Sequence, residues 1–191
     1  ALVANPRPVP PLVSKLSKQI AAAPLNQDLV NSYYVAAAQG QIEMSAEQID
    51  KLRSALFDLG WRSTAAQQNI LIHAIENSDI KTIALRADAM LRRKQLTAEV
   101  TELLFLFETD PQSRTELVSR LKLRPEWREA VLTNRAGIST PARLNARTQT
   151  LYLMFQTGLR PTQLEVAPVS GLLLDDGKGD AAYDLWMKYN G

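Results

Sequence analysis

His73 is the only histidine of the chain, so any Ser/His/Asp relay or histidine metal site would have to be built around it. No His-Glu-x-x-His pattern, second histidine or thiol accompanies it, which removes the usual zinc and nucleophile constellations. On a helical reading His73 lies near an apolar face, beside Ala74 and one turn from Asn69 and Asn77. A hydrogen-bonded histidine at a helix-packing edge is the ordinary explanation; a groove-facing ligand contact is the functional one. Asp175, Asp176 and Asp180 flank Gly177-Lys178-Gly179. The alternation of a calcium loop and its twelfth-position Glu are missing, as are the upstream glycine and following Ser/Thr of a phosphate loop. A helix stop, a turn and a new N-cap at Asp180 account for the segment. With 20 acidic residues spread along the chain, no pair stands out as the two carboxylates of a glycosidase. The expectation is a non-enzyme with no catalytic residue, no metal ligand and no cofactor.

Binding residues are the alternative. Arg86, Arg92, Arg93 and Lys94 form a basic cluster at the end of one helical segment. Cations there complement exposed carbonyls, and the same cluster, Arg86 included, is a candidate patch for an anionic polysaccharide or an acidic protein. Nucleic acid is not expected, because aromatic interleaving typical of single-strand binding is missing. Tyr33 and Tyr34 are adjacent on a helix and point about 100° apart, so one is free to line a groove. Tyr34, Asn69, His73 and Arg86 are therefore the candidate binding residues. Trp61 and Trp127 sit at helix starts and read as staples. Tyr183, Trp186 and Tyr189 give the last helix an aromatic edge, a surface for a homo-oligomer or another partner if left uncovered.

Composition sets the outer bounds. A chain of 191 residues, 46% hydrophobic, can bury a substantial core as one domain or two packed halves. The 22 basic and 20 acidic residues nearly cancel, to a net charge of +2. That is far from the single-sign field of a general nucleic-acid binder. The absence of cysteine excludes disulfides and thiolate chemistry without deciding the compartment. No apolar stretch approaches the ~20 residues needed to cross a bilayer. The chain opens Ala1-Leu2-Val3-Ala4, so the expectation is a removed leader or a fragment. A removed leader implies a periplasmic or secreted protein; otherwise a cytoplasmic one is expected.

These residues must be positioned by helices. Asn5-Pro6-Arg7-Pro8-Val9-Pro10-Pro11 reads as an extended linker over 1–11. A first helix is expected over 11–22, and Asn26 caps the next, stopped by Gly40. Ser45 with Gln48 predicts a capping box, and Thr64 with Gln67 a second one. Ser78 or Asp79 starts the fifth helix, Thr97 the sixth. Asp110-Pro111 and Thr140-Pro141 are caps followed by proline in the first helical position. Pro125-Glu126-Trp127 starts a shorter helix. Pro168 and Gly171 predict a kinked or broken helix over 161–176. Asp180 caps the last. No period-2 strand appears, so the fold class is all-α.

Ile49 and Leu56 are echoed by Ile83 and Met90 at an offset of 34 residues, a period of helix-turn-helix repeats that bury their apolar faces only by stacking. With Gly40 and Ser78-Asp79-Ile80 at the turns, residues 25–95 resemble degenerate tetratricopeptide repeats. The departure is Ile, Leu and Met where that family favours alanine, which changes how closely helices approach. The chain is also similar to uncharacterised bacterial repeat proteins near surface-polysaccharide genes. Ser78 to Arg92, Arg124-Pro125-Glu126-Trp127 and Ala182-Tyr183-Asp184-Leu185-Trp186 carry that similarity. These resemblances imply a helical-hairpin solenoid or superhelix, with repeats over 12–135 and a further hairpin over 136–191 on the same domain. They imply a non-catalytic interaction or assembly module for a protein or peptide, in the bacterial envelope or exopolysaccharide production. The alternative is the helical scaffold of a larger envelope enzyme acting on glycans.

Overall fold

The computed structural model describes residues 26–191 apart from residue 60. The linker over 1–11 and the helix expected over 11–22 lie outside the described residues. Ten α-helices, one 3-10 turn and no strand make up the described chain, so the fold is all-α. Among the described residues no helix is long and apolar enough to cross a membrane. The chain divides into two compact units, the first ending at Glu76 and the second beginning at Asn77.

In the first unit, α1 (Gln27–Ala38), α2 (Ala46–Leu59) and α3 (Thr64–Glu76) each pack against the other two. The ends follow from local chemistry. The Asn26 side chain accepts from the amides of Asp28 and Leu29, and Gly40 takes the left-handed φ of +70° that stops α1. Ser45 and Gln48 exchange reciprocal bonds of 2.9 and 3.3 Å, a complete capping box. The start of α3 differs from expectation. Ser63, not Thr64, is the cap, accepting from the Ala66 amide at 3.3 Å. Gln67 is buried. The Ser63 hydroxyl also donates to the Asp28 carboxylate at 2.9 Å. Among the described residues of this unit, apolar side chains gather in two clusters. One joins Val30, Leu56, Ala66 and Ile70 with Tyr34 packed against them; the other joins Ala36, Ala37 and Ile42 with Tyr33. The adjacent tyrosines thus serve different clusters, as their angular separation requires.

The second unit runs through α4 (Ile80–Arg92), α5 (Thr97–Phe107), α6 (Pro111–Leu121) and α7 (Arg128–Leu132). A 3-10 turn (Arg135–Ile138) leads to α8 (Pro141–Gln156), α9 (Gln163–Asp175) and α10 (Gly179–Asn190). Helix α4 packs on α5 and α6, α6 on α8, α8 on α9, and α9 on α10. Asp79, Asp110 and Thr140 cap α4, α6 and α8. Residues 135 and 136 lie inside this unit, because Arg147 of α8 bonds the carbonyls of Val131 and Leu132 before that point.

Two expectations are corrected here. The segment 161–176 is not broken; α9 continues through Pro168. A full capping box between Thr162 and Glu165 starts it, and Val166, Val169 and Leu173 bury one face. Those gains offset the backbone bond that proline cannot make. Asp180 is not a cap either. It lies in the first turn of α10, where no side chain caps the end and its charge complements the exposed amides.

Candidate functional site

Three of the four candidate binding residues meet in one groove of the first unit. The Asp28–Ser63 bond and a 2.7 Å bond from Asn69 Nδ2 to Asn31 Oδ1 tie α1 to α3. Both pairings advance together along the chain, so the two helices run parallel. Between them lies an open groove of about 300 Å³. Its α1 wall is Tyr34, Val35 and Ala38, continued by Gln39. The α3 wall is Asn69, Ile72, His73 and Glu76, which at i, i+3, i+4 and i+7 form a single helix face.

This face breaks the usual amphipathic arrangement. The buried stripe of α3 is Ala66, Gln67, Ile70, Leu71 and Ala74, yet Ile72 remains 45% exposed and Ile75 46%. The groove therefore offers apolar surface at Ile72, Val35 and Ala38, with a phenol, an imidazole, carboxamides and one carboxylate around it. The parallel register puts Asn69 toward one end and Gln39 with Glu76 toward the other. Such a surface can hold an apolar side chain and hydrogen-bond the backbone or polar groups beside it. Among the described residues no three His, Asp or Glu side chains gather as a metal site would need.

Arg86 is elsewhere. It is fully buried on the face of α4 that also buries Ile83, Ala87 and Met90. Arg92, Arg93 and Lys94 are exposed, and Arg92 pairs with Asp88 at 2.8 Å. Arg86 thus shares no surface with the cations that follow it.

Sequence reasoning missed the charged groups that the second unit buries. Arg147 donates through Nε to Glu108 at 2.6 Å, both side chains being at most 2% exposed. Burial pushes the Glu108 carboxyl up, against the opposing pull of Arg147. Arg128 grips Glu165 with two bonds of 2.8 and 2.7 Å. The Trp127 indole donates to Asp88 at 2.8 Å. Partners 37 and 39 residues apart carry no local signature, so no spacing rule could find them. Tyr152 is another: burial, then the neighbouring Asp184 carboxylate, pushes its phenol up to about 12, and its hydroxyl donates to the Ala181 carbonyl. These groups are consumed internally and fasten helices to one another. Compared with known proteins, the chain matches no family model, no curated protein and no solved structure.

Proposed function

We propose that the chain is a non-catalytic, tetratricopeptide-like interaction module that seats a peptide or helix of a protein partner in the α1–α3 groove. The observation that carries this is the convergence of Tyr34, Asn69 and His73 on one open groove whose walls include a half-exposed Ile72. In a repeat of helical hairpins the first helices of successive pairs line the concave side, and α1 and α3 are those helices under the repeat reading. Ile72 with Val35 and Ala38 supplies the apolar contact, and Tyr34, His73 and Glu76 supply direction and specificity. Asn69 acts through α1, since its amide already holds Asn31. The resemblance to bacterial repeat proteins beside surface-polysaccharide genes supports placing that partner in envelope or exopolysaccharide assembly.

Tyr34→Ala and Ile72→Arg, each with unchanged far-ultraviolet helicity, test the reading by partner co-purification. Both changes are expected to abolish recovery of a partner that the unaltered chain retains. Undiminished recovery would remove the groove from the account, and turnover of any substrate by the purified chain would remove the non-catalytic part.

A further inference from the structure

The geometry points to a second peptide-binding groove, built on α9 in the second unit and independent of the α1–α3 groove. Helix α9 holds the two residues worst suited to a helix interior, Pro168 and Gly171. Gly171 has no positive φ to accommodate, and a Cβ placed on it would meet nothing within 4 Å. Neither backbone conformation nor packing requires glycine there. Gly137 shows the contrast, because a Cβ at that position would come within 2.6 Å of Arg147 and 2.7 Å of Phe105. A residue such as Gly171, which breaks a local rule without a packing reason, is where a functional surface is to be sought.

Pro168 and Gly171 both line an open groove of about 500 Å³ between α9 and the 3-10 turn. Its apolar floor is Ile138 and Leu172, and a shallower depression of about 230 Å³ past Leu144 shares that floor. The small, flat pair at Pro168 and Gly171 lets a chain lie close against the helix. The charges are placed asymmetrically. Arg135 lines only the larger groove, with Pro168 and Gly171, whereas Asp175 lines both depressions. Among the described residues neither Arg135 nor Asp175 has an ion-pair partner. Asp176, farther along, is already paired with Lys178 at 2.6 Å.

The occupant that complements this surface is a peptide segment of a partner protein. It carries an acid toward Arg135, an apolar side chain over Ile138 and Leu172, and a base toward Asp175. From Pro168 to Asp175 the helix rises roughly 10 Å. An extended peptide covers that in about three to four residues, which sets the spacing of the acid and the base.

The test is an amide chemical-shift titration of the full chain. The probe is a pool of five-residue peptides with Glu first, an apolar residue third and Lys fifth; the control pool has Glu and Lys exchanged. The first pool is expected to shift Ile138, Gly171 and Leu172, with at least tenfold weaker binding of the exchanged pool. Gly171→Phe, which fills the groove from an open position, is expected to erase the shifts. Arg135→Glu combined with Asp175→Lys is expected to reverse the preference between pools and needs no change in the apolar wall. Absence of shifts at millimolar peptide would overturn the inference. So would equal binding of both pools, or shifts that survive Gly171→Phe. Shifts confined to Tyr34, Ile72 and His73 belong to the other groove and count against this one.

Discussion

Replacing Arg147 by Met removes one half of an ion pair from which water is excluded. The guanidinium holds Glu108 at 2.6 Å and donates to the carbonyls of Leu132 and Val131, and it lies 5.8 Å from the centre of the Phe105 ring. Methionine fills part of the same space but leaves the Glu108 carboxylate buried without its counter-charge. Removing one partner of such a pair costs about 3–5 kcal/mol, a fall in midpoint temperature of roughly 10–20 °C for a unit of this size. The cost must also depend on pH. Burial already pushes the Glu108 carboxyl up, and loss of Arg147 removes its strongest opposing influence. An acid whose folded value lies above its unfolded one contributes most below the unfolded value and loses that contribution as pH rises through the folded one. Arg147→Met is therefore expected to be less damaging at pH 5 than at pH 8. Adding Glu108→Leu removes the stranded charge, so the double variant should recover more than half of the loss at pH 8. Chemical denaturation of the unaltered chain, the single variant and the double variant at both pH values reads all of this. A single-variant cost below about 1 kcal/mol, or a cost that is equal at both pH values and undiminished in the double variant, would refute the reasoning.

Two glycines should answer oppositely to alanine. Gly137→Ala meets Arg147 and Phe105 and is expected to lose about 1–3 kcal/mol, whereas Gly171→Ala should gain about 0.5–1 kcal/mol; thermal melts separate them. Asp79 caps α4 by accepting from the Thr82 amide at 3.2 Å, and bonds to Thr82 hold its carboxyl below the usual 3.8. Its contribution is present above the unfolded value and is lost as pH falls through the lowered one. In melts between pH 2 and 5, Asp79→Asn should flatten the part of the decline that this carboxyl causes, and an unchanged profile would exclude the role.

Helix ends were readable wherever a side chain completes its own neighbourhood. Asn26, the Ser45–Gln48 pair, Asp110-Pro111 and Thr140-Pro141 act within four residues, and sequence spacing alone determines their geometry. Competition between neighbours was less readable: Ser63 outranks Thr64 because its hydroxyl also reaches Asp28, a partner 35 residues away. Pro168 and Gly171 were expected to kink or break a helix because propensity is local, whereas burial of the apolar stripe of Val166, Val169 and Leu173 is tertiary and keeps the helix continuous. Arg86 looked like part of a surface cluster because charge usually stays in water. Its position on the buried stripe of α4 was visible in the helical period, three residues after Ile83 and four before Met90. Tyr34, Asn69 and His73 could be grouped since each lies on a helix face whose period is regular. Their meeting across α1 and α3 needed the parallel register that the structure supplies.

Site-specific photo-crosslinking, with a photoreactive side chain at position 72 and, in a separate protein, at Lys51, asks whether partners dock where the reading places them. Lys51 is exposed on α2 and pairs with Glu47, so it serves as the reference surface. The groove account predicts a discrete crosslinked partner from position 72, suppressed by Tyr34→Ala, and none from position 51. Equal capture at both positions, or capture at 72 that ignores Tyr34, would contradict it.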